Sequence, residues 1–289
     1  MSDQEIIELM DSVLPLVLES GKILLETQDE SIEMDSKKAI WEVVTVYDQK
    51  IEDVLMKGIK ELYPTHKIIS EEECSQKDEI AKLTDAPTWI IDPIDATANF
   101  AKGMPITCIS VGLTIGKEQI LGIAYNPFMN ELFTATKGRG AYLNGKKICT
   151  SGLTDIKRCI FNYEISLART STHLYNVYMF RLKHLITEIL GIRSYGCPVL
   201  GLCYVACGRV DAYQCDGLYP WDAAAGTLIV KEAGGHVVDT TGKSEFDVME
   251  PNFLATASKA LSDKFIEIEN RADRERSVAI SNNKEYSPL

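Results

Sequence analysis

The 289-residue sequence has no CxxC pair among its eight cysteines and only four histidines. It also has no internal repeat, no low-complexity tract and no Pro/Gly/Ser-rich linker. The cysteines run from Cys74 to Cys215 without regular spacing, which argues against a zinc module. Cys203 and Cys207 lie one helical turn apart, but no His adjoins them, so reduced and mostly buried thiols are expected. No apolar run reaches the ~20 residues of a membrane span. Residues 1–13 lack the basic flank and apolar core of a signal peptide, so a cytoplasmic protein with no membrane partner is expected. Basic charge is scarce too: 30 Lys and Arg against 42 Asp and Glu give a formal charge of −12, which argues against a nucleic-acid partner.

What is present is a chain that is 45% hydrophobic, long for one domain and short for two. Apolar residues at helical spacing predict helices over 4–26 and 49–62, with Pro15 expected to kink or restart the first. Residues 88–136 read as successive strands separated by Gly, Pro and Asn turns, and Asn144-Gly145 marks a hairpin. The second half alternates. Strands are expected at "RCIFNYEI", "GIRSY", "RVDAY" and "GHVVD", and helices over 172–190, 199–207, from Trp221 and over 259–271. A polar tail, 276–289, follows. This order predicts a layered α/β or α+β architecture.

Acids mark the ends of several of these elements. Asp48 stands in "VVTVYDQK" just before the second predicted helix, and Glu71 and Glu72 follow the strand "KIIS". Asp92 and Asp95 follow "TWII", and Asp222 precedes the apolar run "AAAGTLIV". Taken singly, each has an ordinary reading: Asp222 and Asp95 as helix caps, Asp92-Pro93 as a turn, and 71–73 as a solvated acidic loop. Taken together, carboxylates from separated strand ends can converge on a hard divalent cation, which takes oxygen ligands.

"DPIDAT", "WDAAAG" and the preceding "SEEE" together resemble the inositol monophosphatase family of metal-dependent, lithium-sensitive phosphatases. "VVTVYDQKIED", "NPFMNELFTATKGRGAYLNG", "GIRSYG" and "KEAGGHVVD" extend the likeness over about 37–239. The resemblance implies an αβαβα sandwich like that of inositol monophosphatases and fructose-1,6-bisphosphatases. It would be one catalytic domain over 1–275, with an α+β half to about 150 and an α/β half from 151. It also implies a homodimer and two or three Mg²⁺ per site. Glu71, Asp92 and the Ile94 carbonyl would hold one Mg²⁺, and Asp92, Asp95 and Asp222 a second. Thr97 and Glu71 would orient the attacking water, Asp48 would support Thr97, and Glu72 would back up the ligands. The phosphate would lie against the Ala96 and Thr97 amides, with Asp95, Asp222 and position 215 around the substrate.

The implied reaction is hydrolysis of a small phosphorylated polyol or sugar, foremost inositol monophosphate. Several positions depart from the family pattern. Ala96 replaces a Gly, which costs about 1 kcal/mol if φ there is positive. Cys215 stands where a Glu usually meets inositol hydroxyls, with Asp216 next to it expected to point elsewhere; Leu167, Cys197 and Pro198 also differ. Two alternatives follow: a related sugar or nucleotide bisphosphate phosphatase, for which Lys37, Lys38, Arg169 and Arg193 could serve, or a catalytically weak binding or dimerising protein.

Overall fold

A computed structural model describes residues 3–27, 31–37, 39, 42–241 and 245–282. The chain opens with helix α1 (Asp3–Leu25) and a two-strand ribbon, β1 (Asp35–Ser36) and β2 (Val43–Val44). Next come α2 (Val46–Leu62), β3 (Lys67–Ser70), α3 (Glu71–Lys77), β4 (Thr88–Asp95) and the single turn α4 (Thr97–Ala101). A meander follows: β5 (Cys108–Ile115), β6 (Glu118–Asn126), β7 (Glu131–Thr136), β8 (Gly140–Leu143) and β9 (Lys146–Ile148). The second half contains β10 (Ile160–Tyr163), α5 (Thr172–Leu185), β11 (Gly191–Arg193), α6 (Pro198–Ala206), β12 (Ala212–Cys215) and α7 (Pro220–Glu232). It closes with β13 (His236–Asp239), β14 (Phe253–Thr256) and α8 (Lys259–Ser281).

Two sheets result. Seven strands run in sequence order from β3 to β9, parallel only between β3 and β4. The smaller sheet has the order β11-β10-β12-β14-β13. In it β10 is parallel to both neighbours and β14 antiparallel to both of its own. Three apolar cores define the layers. Val13, Val17, Ile51 and Leu55 of α1 and α2 bury one face of the large sheet. Helices α6 and α7 fill the space between the sheets. Helices α5 and α8 cover the outer face of the small one through Tyr178, Leu261 and Phe265. The order of layers is αβαβα, as the sequence resemblance implies.

Helix α7 lies unusually close to the large sheet. A Cβ on Gly112 of β5 would come within 2.9 Å of Ala224 Cβ, and one on Gly122 of β6 within 2.8 Å of the Ala225 carbonyl oxygen. Small residues on both partners bring the first turn of α7, with Asp222, down onto the end of β4.

Several elements differ from the sequence reading. Pro15 lies on the exposed side of α1, which does not restart there, because Leu9, Val13, Val17 and Leu24 hold the helix to the sheet through packing. Helix α2 starts at Val46, so Asp48 is its third residue, where it accepts from Thr45 N–H (2.7 Å) and Oγ1 (2.6 Å). Helix α5 stops at Leu185, five residues early, and α8 runs on to Ser281 into the segment expected as a tail. Residues 71–73 form the first turn of α3 with Glu72 buried, so the ordinary reading of a solvated loop there does not hold.

Candidate active site

The peculiarity of "WIIDPID" is resolved by strand β4. In a regular strand, residues three apart face opposite sides. Here pairing with β5 is regular to Asp92↔Ser110 and resumes at Asp95↔Cys108, with a register shift between. Pro93 has no N–H for the ladder, and Ile94 N–H turns back onto Asp92 Oδ1 (3.0 Å). The bulge brings both carboxylates to one side. Asp222 arrives from α7, held by Tyr219 N–H on its Oδ2 (2.8 Å). Ligand oxygens of Asp92, Asp95 and Asp222 then lie within 4.8 Å of one another.

Among the described residues, no Lys or Arg forms an ion pair with these three acids. Their carboxyls are pushed up in pKa. For Asp92 and Asp95 burial is the main cause; Glu71 and Asp95 add to it at Asp92, and Cys197 and Asp222 at Asp95. Burial, then the Glu71 charge, raises Asp222 to about 7. Buried carboxylates this close need a cation or protons. Since the donors are all carboxylate oxygens, a hard divalent cation fits them.

A ring of supporting groups surrounds the cluster. Thr97 Oγ1 lies 2.9 Å from Asp48 Oδ1 and 3.1 Å from the Ile94 carbonyl. Burial lifts Asp48 to about 6, against the lowering effect of its Thr45 bonds. Lys37, presented by the β1–β2 ribbon, donates to Glu71 Oε1 (2.7 Å) and Glu72 Oε1 (2.6 Å). Burial lowers the Lys37 pKa, but the two carboxylates together outweigh it and raise it. Glu72 is pushed up to about 7 by burial and by Glu71. Ala96 adopts φ +68°, ψ 51°, so the strained alternative for this Gly-to-Ala departure is the real one.

A cleft of about 620 Å³ opens above this ring. Glu71, Ala96, Thr97, Leu167, Arg169 and Trp221 line it, and Tyr219, stacked on Trp221 at 5.0 Å, forms part of the rim. A larger groove of about 1100 Å³, near Lys117 and Lys231, includes none of the clustered acids.

The structure thus gathers Asp48, Glu71, Glu72, Asp92, Ile94, Asp95, Ala96, Thr97 and Asp222. It does not bring Cys215 into the cleft. That side chain is fully buried, 3.9 Å from Tyr178 Oη in the core behind β12. Asp216 points away as expected, toward Gln214, Thr240 and Arg181. Arg193 bonds its neighbour's carbonyl outside the cleft, and Lys38 lies outside the described residues.

Sequence reasoning missed three supporting groups. Glu52, one helical turn after Asp48 on the same face of α2, accepts from Glu72 N–H (2.8 Å) and Glu73 N–H (2.9 Å) and so fixes α3. The four-residue spacing from Asp48 was the available signal. Glu164 accepts from Ser194 Oγ, Tyr195 N–H and Gly196 N–H. Asn99 donates to the Tyr195 carbonyl (2.9 Å). Together they hold the loop that delivers Cys197 to Asp95.

Comparison with known proteins agrees with this geometry. The profile of the inositol monophosphatase family matches residues 8–273. The chain belongs to the inositol monophosphatase family. It is 38% identical over 267 residues to inositol monophosphatase 2 of Solanum lycopersicum, covering 92% of this chain and 99% of that one. It is 36% identical over 257 residues to inositol monophosphatase 1 of Bos taurus, covering 89% and 92%. Among solved structures, an IMPase of Thermotoga maritima superposes with TM-score 0.81 at 29% identity, over 93% of this chain and 99% of that one. At family level this is phosphomonoesterase machinery for small phosphorylated substrates. No helix of the described residues is long and apolar enough to cross a membrane.

Proposed function

We propose that this chain hydrolyses a small phosphate monoester with Mg²⁺ as cofactor, inositol monophosphate being the foremost substrate. The observation that carries the reading is the bulge in β4, which converges Asp92 and Asp95 on Asp222 while, among the described residues, no Lys or Arg pairs with the three. In this reading Glu71, Asp92, the Ile94 carbonyl, Asp95 and Asp222 hold the metal. A divalent cation there would neutralise the carboxylates, polarise the phosphoryl group and acidify water.

The protein's own groups supply positioning. Asp48 and the Ile94 carbonyl both take up the Thr97 hydroxyl hydrogen's side, which leaves Thr97 lone pairs free to accept from a water in the cleft. Glu71, on the cleft wall, receives that water's second hydrogen and acts as the base. In this reading the phosphate lies over Ala96 and Thr97, which both line the cleft, and takes hydrogen bonds from their amides. Glu72, Glu52 and Lys37 keep Glu71 in place.

The alcohol half of the substrate meets Leu167, Arg169, Tyr219 and Trp221, while Cys215 lies outside the cleft. That wall favours a second reading within the same chemistry: a sugar or nucleotide phosphate ester that carries another anionic or flat group toward Arg169 and Tyr219. Lithium inhibition, a homodimer and a cytoplasmic location belong to the main reading, and sedimentation analysis checks the dimer.

Phosphate release with and without Mg²⁺, in wild type and in Asp92→Asn and Asp222→Asn, tests the proposal. Mg²⁺-dependent release that both variants abolish is expected. Undetectable turnover on a panel of inositol, sugar and nucleotide phosphates would overturn it and favour a binding protein. The ranking of kcat/KM across that panel separates the two substrate readings.

A further inference from the structure

Asp95 faces the acid cluster on one side and a pair of buried thiols on the other. Cys197 Sγ lies 2.8 Å from Asp95 Oδ2, and Cys108 Sγ lies 3.9 Å from the same oxygen. One ligand atom each from Asp95, Cys108 and Cys197 falls within a mutual distance of 4.8 Å. The three positions are built in rather than accidental neighbours. Asp95 and Cys108 are cross-strand partners of β4 and β5. Cys197 immediately precedes α6, whose Val199 N–H donates to Asp95 Oδ2 (2.8 Å). Glu164 and Asn99 hold the approach loop. All three side chains are buried, and the thiols are fully so.

Two sulfurs and one carboxylate oxygen around a point are the donors a thiophilic cation selects, whereas Mg²⁺ takes oxygen alone. Zinc binds sulfur at about 2.3 Å and carboxylate oxygen at about 2.0–2.2 Å in a tetrahedron. Those bond lengths set sulfur and oxygen about 3.6 Å apart in a tetrahedron. Cys108 is already near that distance from Asp95 at 3.9 Å, and the 2.8 Å Cys197–Asp95 contact has to open by less than about 1 Å. A water would take the fourth position.

We propose that Cys108, Cys197 and Asp95 form a second metal site, for Zn²⁺ or another thiophilic divalent cation, and that filling it withdraws Asp95 from the acid cluster. Binding forms two metal–sulfur bonds and one metal–oxygen bond, and the two thiol protons pass to solvent. The consequence is inhibition of the Mg²⁺-dependent reaction by thiophilic ions. The inhibitory half rests on the phosphatase reading, while the site itself does not.

The probe is Cd²⁺ added to the full metal-free chain, read by the ultraviolet thiolate-to-cadmium charge-transfer band. The band is expected in wild type and in the C203S/C207S control, and its loss is expected in C108S/C197S. Circular dichroism checks that each variant is folded; Cys108→Ala, a small apolar change, replaces the double variant if that one does not fold, with the same loss expected. In parallel, Zn²⁺ is titrated into the phosphate-release assay, each variant referred to its own zinc-free rate. Loss of even a supporting partner weakens metal binding by about 10–100-fold. Half-inhibition of Cys108→Ala should therefore need at least about tenfold more Zn²⁺ than wild type. No band in wild type, or a band that survives removal of Cys108 and Cys197, overturns the site. Equal zinc sensitivity overturns the inhibition. If the band follows these cysteines but no protein releases phosphate, the metal site stands and the phosphatase reading fails.

Discussion

Two largely buried acid clusters among the described residues are neutralised in opposite ways. Behind the small sheet, Asp216, Glu269 and Asp273 surround Arg181, which lies 3.6, 3.3 and 2.8 Å from them and donates to the Thr240 carbonyl as well. At the end of β4, Asp92, Asp95 and Asp222 converge, and among the described residues no guanidinium or ammonium forms an ion pair with them. Arg181 is permanently charged and its fork is fixed, so the first cluster is closed and structural. The second leaves its charge to be met by something that comes and goes. Burial raises carboxyl pKa in both places, lifting Glu269 and Asp222 alike to about 7, so burial alone does not tell a structural site from a functional one.

The largest effect should come from breaking the closed cluster. Arg181→Met leaves three acids uncompensated and is expected to cost about 3–5 kcal/mol in urea unfolding, with no rescue by Mg²⁺. If Mg²⁺ restores stability, the contrast between the clusters is false. In the open cluster, Asp92→Asn should lower Mg²⁺-dependent kcat/KM by at least about 100-fold, or about 2.7 kcal/mol, while the metal-free variant stays folded.

A pH series sharpens the contrast further. Asp48 at about 6 and Glu72 and Asp222 at about 7 are all raised above the ordinary carboxylate range. The folded metal-free chain therefore holds these protons more tightly than the unfolded chain. Their stabilisation is complete below about pH 4 and is lost as pH rises through 6 to 7, so Tm without metal should fall between about pH 5 and 8. Mg²⁺ needs the ionised acids, so its stabilisation runs the other way. At about 100 times its Kd it should add about 2.7 kcal/mol at pH 8 and clearly less at pH 5. The smallest expected change is Ala96→Gly, which relieves the φ of +68° and should stabilise by about 1 kcal/mol in the same melts.

Much of this was readable beforehand because the motifs are local. "DPID" and "WDAAAG" place carboxylates at element ends, and helical and strand periodicity gave most of the layers. The bulge was not readable as such, since Pro93 announces an interruption without saying which way the chain turns. Whether Ala96 is strained depended on that turn, and the sequence left both φ signs open. Strand β14, "FLAT", lacks the alternation that marks a half-exposed strand, because it is buried on both faces between β12 and β13. Cys215 shows how much rides on register: its neighbours fix it facing the core, where no motif could place it. The Cys108–Cys197 meeting was hidden for the same reason. It joins residues 89 positions apart through pairing of β4 with β5 and the start of α6.

The most direct test of the central claim is calorimetric titration of Mg²⁺ into wild type and into Asp92→Asn and Asp222→Asn at about pH 8. Saturable binding in wild type that is lost in both variants is the predicted result. Binding that is absent from wild type, or that survives both substitutions, would contradict the account.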